Sequence, residues 1–199
     1  NNMAFLKKFI GDKDFYRMTL VVAVPIMIQN FITNFVSMLD NLMVGSLGTE
    51  QMSGVSIVNQ LIFIFGLAVF GALSGAGIFT AQFYGKNDED GIRYTLRYKL
   101  IISAIILVIA LAVFSFFDDF LIRLYLHESD SAGNIGLTLT FAKQYLRIML
   151  WSALPFCVTQ IFSSTLRETG ETVAPMVAGL IAVITNCTFN WVLIFGKLG

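Results

Sequence analysis

The stretch Asn34-Phe-Val-Ser-Met-Leu-Asp-Asn-Leu-Met-Val-Gly-Ser-Leu-Gly48 places one carboxylate, Asp40, at the end of a long apolar segment. The apolar pattern continues past the acid with Met43 and Val44. A charged residue within a bilayer costs roughly 2.5 to 3.5 kcal/mol on insertion scales, so it normally faces a cavity or a partner. The stretch therefore predicts a functional carboxylate, with the alternative that Asp40 only marks the outer end of a helix.

The composition around this stretch is that of an integral membrane protein, with 56% hydrophobic and 13% charged residues. Five charge-free runs are each long enough for the roughly 20 residues that a helix needs to cross the hydrocarbon core. They are Met18–Leu39, Gln51–Gly85, Leu100–Phe117, Ile148–Leu166 and Thr172–Gly196. We predict an all-α, polytopic transmembrane bundle with spans at about 18–44, 55–84, 97–117, 145–166 and 174–196. The segments Phe5–Arg17 and Asp118–Leu126 are interpreted either as short helices at the membrane interface or as solvated connectors.

Basic residues predict the orientation. The group Lys7, Lys8, Lys13 and Arg17 precedes the first span, the turn after that span has no Lys or Arg, and the next loop is interpreted as carrying Lys86, Arg93, Arg97 and Lys99. Because short loops with positive charge stay on the cytoplasmic side, we predict a multi-pass protein of the cell inner (plasma) membrane with a cytoplasmic N-terminus.

Several function classes are disfavoured. The formal net charge is zero and the basic residues are scattered, so no nucleic-acid partner is expected. Cys157 and Cys187 fall inside predicted spans and are interpreted as buried thiols. We find no phosphate-binding loop, no metal-spaced His pair and no nucleophile motif, so we predict that the chain is not an enzyme and uses no cofactor beyond a coupling ion.

Polar residues at helical spacing mark one face of the first span, ending at Asp40. The fourth span has a similar face through Thr159, and a wet interior shared by these spans is expected. The predicted cavity-lining residues are Gln29, Asn30, Thr33, Asn34, Ser37 and Thr159. In the second span, the small residues Gly71 and Gly75 predict close helix packing.

The fifth span carries Asn186 and Asn190 four residues apart, on one face. Two amides at this spacing can coordinate a cation, accept from a protonated acid, or only hydrogen-bond to another helix. We expect Asp40, Asn186 and Asn190 to approach one another as a cation-coupling site. No metal ligand set is certain, and sodium is the candidate metal at these three residues.

Four motifs occur in order along the whole chain. They are Pro25-x3-Gln29, Asp40-Asn-Leu-Met-Val-Gly-Ser-Leu-Gly48, Leu166-Arg-Glu-Thr-Gly-Glu-Thr-x2-Pro-Met176 and Asn186-x3-Asn190-x3-Ile-Phe-Gly196. Their combination resembles the multidrug and toxic compound extrusion (MATE) family of cation-coupled efflux antiporters.

The resemblance implies a twelve-helix transporter of two lobes that exports cationic or amphiphilic compounds against an inward flow of protons or sodium. Residues 1–199 would then contain five of the six helices of the N-lobe. The expected partners are the C-terminal lobe, which these residues do not include, and the lipid bilayer around the helices. Asp40 matches the family's first-helix coupling aspartate, and Asn186 matches a fifth-helix asparagine of the same site. Asn190 stands where some members have aspartate.

Two questions stay open at this point. The coupling ion is H+ or Na+, and protons are favoured because a single carboxylate gives a sodium ion little negative charge. The alternatives to an antiporter are a lipid-linked saccharide flippase of similar architecture, which needs a more basic cavity, and a non-transporting membrane packing subunit.

Overall fold

A computed structural model of the protein describes residues 12–46, 48–126 and 135–194. These residues form six helices and no strand: α1 (Lys13–Gly45), α2 (Thr49–Gly85), α3 (Glu89–Phe116), α4 (Asp118–Leu126), α5 (Ile135–Glu168) and α6 (Val173–Ile194). All except α4 are long and apolar enough to cross a membrane. The predicted all-α bundle with five spans is confirmed.

Most helices are longer than the charge-free runs. The side chain of Asp88 accepts a hydrogen bond from the backbone N–H of Gly91 at 2.9 Å, and this N-cap starts α3 well before the predicted position 97. Arg93, Arg97 and Lys99 therefore lie within α3, and their assignment to a loop is wrong. Charged residues can extend a helix beyond the apolar segment, because the backbone hydrogen bonds do not depend on side-chain polarity.

The two segments interpreted as short helices or connectors have different outcomes. Asp118–Leu126 forms the short helix α4. Of Phe5–Arg17, residues 13–17 continue into α1, and residues 5–11 lie outside the described residues.

The chain divides into two compact units. The core unit comprises Met38–Thr169, which holds the end of α1 and all of α2 to α5. The terminal unit comprises residues up to Ser37 together with residues from Gly170 onward, which hold most of α1 and all of α6.

The core unit is built around α2. Its buried residues Val58, Leu61, Phe65, Val69 and Leu73 recur every three or four positions and so form one stripe. They belong to one hydrophobic cluster with buried residues of the other core-unit helices: Leu107, Phe114, Ile122, Leu126, Leu146, Cys157 and Ile161. The opposite surfaces carry large exposed apolar side chains, as expected of helices that face lipid.

Glycines set the spacing of α2 from its neighbours, but not where we expected. A Cβ at Gly54 would lie 3.0 Å from the backbone nitrogen of Ala142, so this glycine permits a close approach of α2 to α5. A Cβ at Gly71 or Gly75 would meet nothing within 4 Å. The core-unit helices therefore do not pack closely on these two glycines, which line a groove between α2 and α3.

In the terminal unit, the start of α6 is fixed by local chemistry. Gly170 has a φ of 81°, a left-handed conformation that glycine adopts without a steric penalty. The Glu171 carboxylate then accepts from the backbone N–H of Ala174 at 3.1 Å. The Gln29 amide donates to the carbonyl of Pro175 at 3.4 Å and so connects α1 to the first turn of α6.

Candidate functional site

The polar face of α1 is exposed in the described structure. The Thr33 hydroxyl donates to the carbonyl of Gln29 at 2.9 Å, and the Ser37 hydroxyl donates to the carbonyl of Thr33 at 3.0 Å. Asn30 and Asn34 are also exposed, whereas Gln29 is half-buried. The two hydroxyl protons are bonded within the helix, so the hydroxyl oxygens are presented outward as acceptors.

The two asparagines of α6 lie together, as their spacing predicts. The Nδ2 atom of Asn190 donates to Oδ1 of Asn186 at 3.1 Å. Asn186 is exposed and Asn190 is half-buried. A pair of amides fixed by this bond presents a defined polar surface on α6.

Asp40 lies in the last two turns of α1 and is half-buried in the core unit. Thr159, also in the core unit, is exposed, and its hydroxyl donates to the carbonyl of Pro155 at 2.8 Å. Asn186 and Asn190 belong to the terminal unit, so their approach to Asp40 stays a prediction.

The described residues contain no group of three or more His, Cys, Asp or Glu side chains that could hold a metal ion. The predicted sodium ligands are of another kind, one carboxylate and two amide oxygens. Such oxygens suit hard cations. A sodium site at Asp40, Asn186 and Asn190 therefore also stays a prediction.

A second set of polar residues was missed by the sequence reasoning. Lys99 of α3 is completely buried and forms an ion pair with Glu168 of α5, whose side chain is 17% exposed. Thr165 and Ser164 accept from the same ammonium. Glu168, in the last turn of α5, is thus another partly buried acidic residue of a long helix, in addition to Asp40. The usable signal was the position of Ser164, Thr165 and Glu168 on one helical face.

A third charged cluster lies where α4 meets α5. Lys143 contacts Asp119 at 2.9 Å and Asp118 at 3.8 Å, and Arg123 contacts Asp119 at 2.6 Å. The Lys143 ammonium and then the Arg123 guanidinium lower the pKa of Asp119 below its ordinary value of 3.8. This carboxylate stays ionised at neutral pH.

The comparisons with known proteins agree with one another. The MatE family model matches residues 25–192. A probable multidrug resistance protein NorM of Thermotoga maritima is 27% identical over 178 residues, which are 89% of this chain and 37% of that protein. A probable multidrug resistance protein NorM of Halalkalibacterium halodurans is 29% identical, covering 92% of this chain and 38% of that protein. Multidrug resistance protein MdtK of Pectobacterium atrosepticum is 25% identical, and the match covers 89% of this chain and 37% of that protein.

The chain thus spans 37% to 38% of the length of these relatives. No solved structure matches it. Together with the five apolar helices, the matches make this chain a multi-pass membrane protein.

Proposed function

This chain belongs to the MatE family, and from that premise we propose that it forms the N-lobe part of a cation-coupled antiporter that exports cationic or amphiphilic compounds. Asp40 is the coupling carboxylate in this proposal. The N-terminus lies in the cytoplasm, in keeping with the basic residues that precede α1. The second lobe, against which this one would rock during alternating access, is a further partner.

The observation that carries the proposal is the position of Asp40. It lies within an apolar helix and is only half-exposed. A carboxylate can exchange a proton for a cation, because it is neutral when it holds the proton and balances one positive charge when it does not. The three relatives described above are named as multidrug resistance proteins, which supports an export function.

Protons are the coupling ion in this proposal. Asn190 supplies an amide where some family members have a carboxylate, and its Nδ2 already donates to Asn186. A sodium ion at Asp40 and the two asparagines would be surrounded by one formal negative charge only. Such a site binds a hard cation weakly, whereas one carboxylate is sufficient to carry one proton.

The test is efflux by the full-length protein in liposomes under an imposed pH gradient without sodium. Asp40→Asn should abolish transport, because the amide cannot take up and release a proton. Asp14→Asn is the matched control: it makes the same substitution in the first turn of α1, where the side chain is exposed, and should transport like the wild type. Asn190→Asp should change the pH dependence.

Each result has a distinct meaning. Efflux that needs a sodium gradient and ignores pH would reject protons as the ion but keep Asp40 as the site. Efflux that survives Asp40→Asn under either gradient would reject the site. A protein that binds but never moves its compound would favour the packing-subunit alternative.

The saccharide-flippase alternative would depend on Arg147, a basic residue that is exposed within α5 of the core unit. It requires positive charge that is accessible to an anionic headgroup. Lys99, the fully buried lysine of the described residues, is already paired with Glu168.

A further inference from the structure

The ammonium of Lys99 is surrounded by three oxygens from one face of α5. Its Nζ donates to the carboxylate of Glu168, to the hydroxyl of Thr165 at 3.2 Å and to the hydroxyl of Ser164 at 3.4 Å. A lysine ammonium has three protons to donate. The three acceptors therefore satisfy it completely, which is required of a charge with no exposure to solvent.

These oxygens are acceptors for a structural reason. The hydroxyls of Ser164 and Thr165 each donate their own proton to the carbonyl of Ile161, at 3.0 and 2.9 Å. Only lone pairs are left to face α3. The two hydroxyl oxygens and the carboxylate of Glu168 line a pocket. The carboxylate supplies one negative charge, and all three groups accept hydrogen bonds.

Gly77 of α2 provides the room for this pocket. A Cβ at Gly77 would lie 2.7 Å from Cδ of Glu168. A side chain at this position would displace the carboxylate. Three helices thus contribute to one arrangement: α2 the space, α3 the cation and α5 the oxygens.

We propose that Ser164, Thr165 and Glu168 form a binding site for a primary ammonium ion, and that Lys99 is its tethered ligand. The hydroxyl distances of 3.2 and 3.4 Å are those of hydrogen bonds to an ammonium. The site therefore takes an alkylammonium, and the chain supplies one permanently.

A consequence follows for ion coupling, and it rests on the proposed function. A carboxylate that is already paired with an ammonium of the protein does not bind a soluble cation in this arrangement. We therefore expect Asp40, and not Glu168, to be the coupling carboxylate. The experiment below measures stability without transport, so its failure and the failure of the proposed function can be told apart.

The experiment is chemical rescue of Lys99→Ala in the full-length protein. n-Propylammonium replaces the three methylenes and the ammonium that this substitution removes. The variant should unfold at a lower temperature than the wild type, and millimolar n-propylammonium should restore most of the difference. 1-Propanol, which has the same number of carbons but no charge, should restore little.

Two variants serve as controls. Lys143→Ala removes the lysine of the α4–α5 cluster, whose side chain is 29% exposed, and should show no response to the amine. Lys99→Ala combined with Glu168→Gln lacks the charged acceptor and should also show none. Equal stabilisation by propanol and propylammonium, or a response of the double variant like that of the single one, would overturn the proposal.

Lys99→Arg keeps the test decisive if Lys99→Ala does not fold. The guanidinium is planar and holds its donors in a fixed fork, so it cannot place one nitrogen among three converging oxygens. The arginine variant should unfold at a lower temperature than the wild type. A midpoint equal to that of the wild type would show that any positive charge suffices, and would reject an ammonium site.

Discussion

The two ends of α5 carry ion pairs of the same chemistry in different surroundings. Near its start, Lys143 contacts Asp118 and Asp119 of α4, with side chains that are 23% to 47% exposed. At its end, Glu168 contacts Lys99, which has no exposure at all. Water competes for the first set of charges and is excluded from the second.

The difference shows where a charge pair contributes to structure. An exposed ion pair adds little to the free energy of unfolding, because water solvates both partners nearly as well as they bind each other. A buried pair has already lost its hydration, so each partner depends on the other and on nearby hydroxyls. We therefore expect the end of α5 at Glu168 to be far more sensitive to substitution than the end at Lys143.

The largest effect should come from removing one partner of the buried pair. Glu168→Leu leaves the Lys99 ammonium buried with hydroxyl acceptors only, and should lower the free energy of unfolding by about 3 to 5 kcal/mol. Adding Lys99→Met should restore most of this loss, since two apolar side chains need no hydration. Thermal unfolding of the wild type, both single variants and the double variant measures the coupling. If the double variant lost as much stability as the two single variants together, Lys99 and Glu168 would not be energetically coupled.

A smaller effect should come from the glycine that makes room for Glu168. Gly77→Ala places a methyl group against the carboxylate and should lower stability by about 1 to 3 kcal/mol, the usual effect of overpacking. Gly75→Ala is the matched control two residues earlier, where a Cβ meets nothing within 4 Å. It should be neutral or stabilising, because alanine favours the helix. Equal destabilisation by both would indicate that the helix itself, and not the pocket, is affected.

The smallest effect should come from the exposed cluster. Because the pKa of Asp119 is lowered on folding by Lys143 and Arg123, its stabilisation is present above pH 3.8 and is lost as the pH falls through the lower, folded-state value. Asp119→Asn should therefore lower the unfolding temperature slightly at pH 7 and flatten its decline below about pH 4, where the variant and the wild type converge. Added salt should reduce even this difference. A large change at pH 7 would show that the two ends of α5 are equivalent after all.

Much of the fold was predictable because the bilayer imposes a simple length and polarity requirement. Charge-free runs located all five long helices, whereas the alternation of charged and apolar residues in Asp118–Leu126 left a helix and a connector equally open. Helix ends were predicted poorly. An N-cap such as Asp88 can start a helix outside the apolar segment, and hydropathy does not detect it.

The candidate site was predictable only in part. The spacing of Asn186 and Asn190 determines that they share a face of α6, and their hydrogen bond follows from it. Lys99 was interpreted as a loop residue that reports topology, because its sequence neighbours are basic and its partner lies 69 residues away. The residues next to Lys99 in the sequence do not indicate that Glu168 is its partner.

The sequence by itself determined what depends on neighbours along the chain: the apolar helices, the polar face of α1 and the family motifs. The tertiary structure alone decided which polar groups lost water and what replaced it. Gly77, Lys99 and Glu168 come from three different helices, and only their packing turns an ordinary lysine into a buried cation with a complete set of acceptors. The physical reason is that desolvation is a property of the assembled surroundings, which no single segment specifies.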